Sequence, residues 1–410
     1  MEVTRVFHPV GQGGFYTEAF DDNHMVVYDC GGTSHIDVER CIDSLFTEQK
    51  SPQIEAVFIS HLHEDHINGL QYLLKKSKTK RLFLPQFSRE KVFEALFYNA
   101  TQASAGSNIN NYIVSIVDAV RSGHNFIGDS RIVTISEEDN TGEVSSYSLD
   151  SIFPSSIPSG AHLVKDEIWV YIPYNSKSQK PNFSKILNNY RKPLQNIYKE
   201  DSAEKQAQAI AKFVEQYSVK TCKEIYKLLY GGIHNSQSMP MFSGLIHKCN
   251  DIYIHSMQDF PHVYIEGWIG EHCRFRSSAN VWFHCFDECE YCVEYNHALC
   301  SAFRDDKVIC NFLYTGDFEA KKTNNMELLR RFYKRHGVWN SICGVQIPHH
   351  GSRYNYHSDL YEDSYYAIAS AGKYSHHPHP ETFKNISKQK CLPLLVTEDT
   401  NTKIQQHFKI

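Results

Sequence analysis

Short apolar runs separated by glycine-rich or polar turns open the chain, and Glu2 to His8, Met25 to Tyr28 and Ile54 to Ser60 each read as a strand. Between the second and third, Ile36, Val38, Cys41, Ile42, Leu45 and Phe46 recur at near-helical spacing, giving a β-α-β order. The pattern continues with helix over Ile67 to Leu74, strand over Arg81 to Leu84, helices over Glu90 to Asn99 and Asn110 to Ser122, and strands over Ile132 to Ile135 and Tyr147 to Phe153. A polar stretch from Pro154 to Ser159 then predicts a turn or excursion. Residues 175–230 are polar and Lys-rich, then carry Ile210, Phe213, Val214, Tyr217, Ile225, Leu228 and Leu229 as an apolar stripe, which predicts a helical insertion. A second insertion, 245–304, is aromatic and rich in Cys and His. Strands resume at Val308 to Tyr314, Val345 to Pro348, Tyr365 to Ser370 and Pro393 to Thr397, with helices between them. The alternation gives an α/β fold over 1–410, read as one domain interrupted twice.

With 41% hydrophobic and 22% charged residues the composition excludes a disordered chain. No apolar run is long enough for a membrane span, and the first residues lack a signal-peptide core. Twelve cysteines at irregular spacing fit reduced thiols or metal ligands, so the expected setting is cytoplasmic and off the membrane. A net charge of -5 argues against a generally basic, nucleic-acid-coating surface, so any such contact must be local. The 23 histidines raise the expectation of a metal site.

SHLHEDHINGL, Ser60 to Leu70, concentrates that expectation in one loop between strand and helix. His61 and His63 are two apart, which on extended backbone sends both to one face, while Asp65 and His66 lie at the helix entry. Imidazole and carboxylate suit zinc, and also iron or manganese, and paired ions can share an activated water.

This HxHxDH loop resembles the hallmark of the metallo-β-lactamase superfamily, which implies an αββα sandwich. VVYDCGG places Asp29 at an upstream strand end, and LYTGD places Asp317 after the insertions, in that family's order. By resemblance Asp317 would bridge two divalent ions, zinc foremost and manganese as the alternative, and Asp29 would orient a ligand by hydrogen bond. IPHHGS, Ile347 to Ser352, followed by IASAGKYSHHPHPETF, Ile368 to Phe383, resembles the soluble hydrolase domain of DNA-uptake competence proteins and related stand-alone hydrolases, over most of the chain outside the insertions. That likeness puts the last metal ligand on His377, with His379 as competitor. It brings His349 and His350 to the centre as ligands, phosphate binders or proton donors. By the same resemblance His234, or the adjacent Asn235, would fill the remaining ligand place.

Two further clusters stand outside this pattern. Cys285, Cys289, Cys292, His297 and Cys300 offer ligands for a structural zinc or serve as reduced core thiols. Basic runs at Lys75, Lys76, Lys78, Lys80 and Arg81, and at Lys321, Lys322, Arg330, Arg331, Lys334 and Arg335, are expected to flank the cleft. The function expected is a phosphodiesterase or nuclease using a two-metal-activated water, with Asp65 as ligand and proton acceptor and with nucleic acid or a nucleotide as substrate. Ester, thioester or lactone hydrolysis is the second reading, and a non-catalytic metal-retaining sensor or scaffold, with a protein partner on the insertions, the third.

Overall fold

The computed structural model describes residues 1–21, 23–48, 52–102, 108–122, 130–139, 144–230, 238–245, 310–322, 324–372 and 376–409, and the backbone of 264–269 and 273–278. The first half runs β1 (Glu2–Phe7), β2 (Phe15–Phe20), β3 (His24–Cys30), α1 (His35–Glu48), β4 (Gln53–Phe58), α2 (Glu64–Ile67), α3 (Leu70–Lys76), β5 (Arg81–Pro85), α4 (Arg89–Gln102), α5 (Ile109–Ser122), β6 (Arg131–Ile135), β7 (Ser146–Ser148) and β8 (Ser156–Ile157). Next come β9 (His162–Lys165), β10 (Trp169–Pro173), α6 (Asn188–Lys199), α7 (Ala203–Tyr217), α8 (Val219–Tyr230), β11 (Met241–Leu245), β12 (Tyr264–Ile269) and β13 (Cys273–Ser278). The chain closes with β14 (Phe312–Tyr314), α9 (Asn325–Arg335), β15 (Gly344–Gln346), β16 (Tyr366–Ser370), α10 (Pro380–Lys388), β17 (Leu392–Val396) and β18 (Ile404–Lys409).

Strand pairing sorts these into two mixed sheets. One has the order β18-β1-β2-β3-β4-β5-β6-β8, antiparallel up to β3 and parallel beyond it. The other has the order β7-β9-β10-β11-β14-β15-β16-β17, and its last four strands are parallel. The β12–β13 hairpin joins their edges, since β12 pairs with both β17 and β18.

Side-chain alternation along each strand then builds three cores. Val26, Tyr28, Ala56 and Phe58 of the first sheet face Trp169, Tyr171, Phe312, Tyr314, Tyr366 and Ile368 of the second, and all are buried in one cluster. Tyr28 stacks on Tyr314 with ring centroids 4.8 Å apart, which keys the sheets together. The alternate residues Met25, Val27, Val57 and Ile59 bury against α1, α3, α4 and α5. On the far side Val170, Ile172, Leu313, Ala367 and Ala369 bury against α9 and α10. Helix, sheet, sheet, helix is the αββα sandwich of the metallo-β-lactamase type.

The inter-sheet core also holds a buried charge. The Arg5 guanidinium donates to Glu18 Oε1 at 2.7 Å and lies between 5.0 and 5.9 Å from the rings of Phe312, Phe408, Trp169 and Tyr314. Trp169, Tyr171, Tyr314 and Ser243 donate to the same carboxylate.

Several strands differ from the sequence reading. β2, β8, β9, β10, β11, β12, β13 and β18 were not among the expected elements, and the strand expected over Tyr147 to Phe153 is confined to Ser146–Ser148 and followed by a turn. The segment 175–230 holds α6 to α8, whose buried faces, such as Ile210 and Phe213 on α7 and Ile225 and Leu229 on α8, share one core with α4 and α5. Cys285, Cys289, Cys292, His297 and Cys300 lie outside the described residues. Among the described residues no helix is long and apolar enough to cross a membrane.

Candidate metal centre

The His-rich loop leaves the C-terminal end of β4. Leu62 is buried on the helix side of the sheet, so its neighbours His61 and His63 are turned the opposite way. The loop is held from two directions. Asn99 of α4 accepts from Glu64 N at 3.0 Å and donates to Leu62 O at 2.8 Å. On the other side Gly14 N donates to Asp65 O at 3.2 Å. The Gly-rich turn before β2 passes so close that a Cβ at Gly13 would lie 2.1 Å from Asp65 O, at a φ of +130°.

Each imidazole in the centre is tethered through one nitrogen. Asp29 at the end of β3 accepts from Ser60 N at 2.6 Å and from Ser60 Oγ at 2.7 Å, so that hydroxyl is free to accept from His61 Nδ1 at 2.9 Å. The same carboxylate accepts from His66 Nδ1 at 2.8 Å. His63 Nε2 donates to Glu94 Oε1 at 3.3 Å, and His350 Nδ1 donates to Ser370 O at 3.0 Å. These tethers fix the tautomers, as outer partners of metal-binding histidines do. The opposite nitrogens, His61 Nε2, His63 Nδ1, His66 Nε2 and His350 Nε2, are buried without a hydrogen-bond partner. Buried polar atoms are otherwise nearly always paired, so these inward nitrogens are a set that could receive a cation.

Two carboxylates face those nitrogens. Asp317, in the turn after β14, lies 3.3 Å from His66 Nε2, 3.4 Å from His350 Nε2 and 3.8 Å from His61 Nε2. Asp65 lies 3.3 Å from His350 Nε2. His61, His66 and Asp317 form one group able to hold a metal ion, and Asp65, His66 and His350 a second, with ligand atoms within 4.8 Å of one another in each. Burial opposes ionisation of Asp317, yet His349, His350 and His66 hold it well below the usual carboxylate range. For Asp65, burial is likewise outweighed by His66 and His350. Burial, reinforced by His66 and His63, keeps His61 neutral, the state that ligates.

The turns that deliver the second sheet's residues are tightly specified. Gln346 Oε1 accepts from both Thr315 N and Gly316 N at 2.9 Å, and its amide donates to the Tyr16 hydroxyl at 2.9 Å. After Pro348 the chain takes positive φ at His349 (49°), His350 (55°) and Gly351 (86°), which swings His350 inward. Consecutive non-glycine residues in this region are strained, and such strain collects at functional sites.

His349 Nδ1 lies 3.4 Å from Asp317, on a more open side of the centre. Its ring is 5.9 Å from that of His377, which is only partly buried and pushed down to about 4 by burial and by His349 and His350. His350 rather than His377 therefore stands with Asp65 and His66. His379 Nδ1 accepts from Glu381 N and caps α10. His234 and Asn235 lie outside the described residues. Just beyond them, Ser238 Oγ accepts from Asp317 N at 3.0 Å and is 3.3 Å from His61 Nδ1.

Sequence reasoning missed Glu94 and Tyr98, one turn apart on α4. Tyr98 stacks on His63 with centroids 3.6 Å apart and an interplanar angle of 8°. The one legible signal was a glutamate within a helix whose surroundings are apolar on nearly every side.

The first basic run does not flank the centre. β4 and β5 are parallel and Arg81 begins β5, so the run sits at the sheet end opposite the His loop. There Lys80 and Arg81 pair with Glu55, and Lys76 with Asp43. In the second run Lys322 pairs with Glu319, Arg330 with Asp359, Arg331 with Glu327 and Arg335 with Glu138.

Residues 7–150 match a family model described as anti-Pycsar protein Apyc1. That span holds Asp29, the His loop and Glu94, and ends before Asp317 and His350. Among solved structures the chain is similar to the metallo-beta-lactamase fold protein YhfI from Bacillus subtilis, at 12% identity and a TM-score of 0.23. The match covers 43% of this chain and 53% of that one, about half its length, and at that score it carries no argument. No curated protein matches the chain.

Proposed function

We propose that this chain is a metal-dependent hydrolase of phosphodiesters, with a nucleotide rather than a long nucleic acid as its substrate. The observation that carries the reading is the set of buried imidazoles, each tethered at its outer nitrogen and unpartnered at the inner one, around Asp65 and Asp317. His61, His63 and Asp317 would hold one divalent ion, zinc or manganese. Asp65, His66 and His350 would hold the other, with His350 taking the place expected for His377. Bound ions would supply Lewis acidity, lowering the pKa of a water and offsetting charge on the phosphoryl oxygens.

The chain's own residues do the rest. Asp29, Ser60, Glu94 and Ser370 orient the ligands, and Asp65, besides serving as a ligand, would accept a proton from the attacking water. His349 and His377, on the open side, are placed to hydrogen-bond phosphoryl or leaving-group oxygens. Charge supports the choice of a small substrate. Among the described residues most of both basic runs are paired to local acids, so these runs offer little unpaired positive charge to track a polyanion. The match to the anti-Pycsar family gives cyclic nucleotides first place among the candidates.

The test is a panel of cyclic nucleotides, bis-p-nitrophenyl phosphate, single-stranded DNA and RNA and a thioester, run on protein of measured zinc and manganese content. Cyclic-nucleotide hydrolysis with a shallow salt dependence, abolished by His63→Ala and Asp65→Asn, is the expected result. Turnover confined to the thioester, or turnover that survives both substitutions, overturns it.

A further inference from the structure

We propose that Glu94 and Tyr226 are positioning residues that set His63 for the metal centre, which makes the helical segment carrying Tyr226 a working part of that centre. The inference rests on the reading just given.

His63 is held on three sides. Its Nε2–H points to Glu94 Oε1 at 3.3 Å, Tyr98 lies flat against its ring at 3.6 Å, and its Nδ1 faces the centre without a hydrogen-bond partner. A carboxylate has only acceptor sites, so Glu94 fixes the proton on Nε2 and leaves the Nδ1 lone pair for a metal. His61 and His66 are fixed in the reverse sense, with Nδ1 tethered and Nε2 presented. Glu94 therefore selects the tautomer that differs from that of its neighbours.

Glu94 itself needs holding. It is buried in α4, where a carboxylate without donors would be strongly disfavoured. Its Oε1 accepts a hydrogen bond from the Tyr226 hydroxyl, which arrives from α8, 132 positions further along the chain. Tyr226 is buried against Phe97, Tyr98 and Tyr230, with ring centroids 6.3, 5.5 and 4.9 Å away, so its hydroxyl has little freedom to turn elsewhere. Lys91, one turn earlier on α4, supplies the opposite charge to the same region. The chain of contacts runs from the helical segment through Tyr226 to Glu94, and from Glu94 to His63. A segment that reads in sequence as an added outer face is thus joined by hydrogen bond to the interior of the centre.

The test is calorimetric titration of zinc into metal-stripped wild type, Glu94→Ala, Glu94→Gln and Tyr226→Phe, with the thermal midpoint of each metal-free protein measured alongside and the cobalt visible spectrum as a report on ligand geometry. Glu94→Ala should weaken one of two zinc ions by about 10–100-fold while leaving the other unchanged. Glu94→Gln keeps an acceptor for Nε2–H and should recover part of that loss. Tyr226→Phe should weaken the same ion by several-fold and alter the cobalt spectrum. If Glu94→Ala does not fold, the near-isosteric Gln and Phe variants decide the matter. A purely structural role would lower the metal-free midpoints and leave zinc affinity unmoved; that result overturns this inference and leaves the proposed function standing. Wild type that takes up neither zinc nor manganese overturns both.

Discussion

The Asp29 carboxylate holds two imidazoles of the candidate metal centre at once: it accepts directly from His66 Nδ1 at 2.8 Å and, through the Ser60 hydroxyl, indirectly from His61. Asp29 itself sits at a φ of 55°, a conformation that Asp and Asn tolerate better than most residues. Asp29→Asn should therefore keep the backbone turn while losing the charge and one acceptor. We expect metal affinity to fall by about 10–100-fold with the fold intact, read by competition against a chelator and by circular dichroism. Unchanged affinity would show that Asp29 serves the turn alone.

Gly13 tests how closely the loop is held. Alanine there would set its Cβ 2.1 Å from Asp65 O, whereas at Gly337, also at positive φ (+75°), a Cβ meets nothing within 4 Å. Gly337→Ala should cost about 1 kcal/mol from backbone strain alone. Gly13→Ala should cost at least about 2 kcal/mol and also weaken metal binding, because the clash is with the backbone that carries Asp65. Denaturant midpoints of the two variants make the comparison, and equal losses would rule out a tight contact.

The buried Arg5–Glu18 pair has unequal partners. Glu18 keeps donors from Trp169, Tyr171, Tyr314 and Ser243 if Arg5 is removed, but if Glu18 is removed Arg5 retains a 3.4 Å contact with Gln406 Oε1 and the surrounding aromatic rings, with no counter-charge beside it among the described residues. Glu18→Leu should therefore cost about 3–5 kcal/mol, the range for stranding a buried charge. Arg5→Met should cost less, and Arg5→Met added to Glu18→Leu should recover part of the loss. Additive losses in urea unfolding would mean the two side chains act independently.

Lys91 gives a pH signature. Burial pushes its ammonium down to about 8, against about 10.4 in an unfolded chain. Below pH 8 both states hold the proton and the penalty for burying it is in force. Between about 8 and 10.4 the unfolded chain binds more protons than the folded one, so stability from this group rises with pH, by up to roughly 3 kcal/mol. Lys91→Met lacks the effect, and the stability of wild type relative to that variant should climb across this window. A flat difference in thermal midpoint from pH 7 to 10.5 would refute the assignment.

How much of this could be read from the sequence depended on whether the signal was local. β3 and β4 are continuous apolar runs, and α1 buries Val38, Cys41, Ile42 and Leu45 at helical spacing, so they were legible. β2 was not, because Glu18 breaks its apolar pattern and is explained only by Arg5 on another strand. β18 is hidden by Gln405 and Gln406, and β11 by Gly244, whose φ of +158° accompanies close packing on Asn311. In the candidate centre, the loop from His61 to His66 announced itself through spacing. Placing His350 with Asp65 and His66, and His377 beside His349, required left-handed backbone at two histidines, which no pattern of residue types reveals. Glu94 and Tyr226 meet across 132 positions, and that pairing belongs to the packed molecule alone.

The loop from His61 to His66 hangs from one sheet, and Asp317 and His350 hang from the other, so the centre straddles the seam between the halves of the sandwich. Neither half owns a complete set of the candidate ligands, and a fragment ending near Leu149 would carry the whole histidine loop with nothing opposite it. Ions held here would rivet the two leaves along their shared rim, and chelation should open the molecule to proteases at that rim before anywhere else.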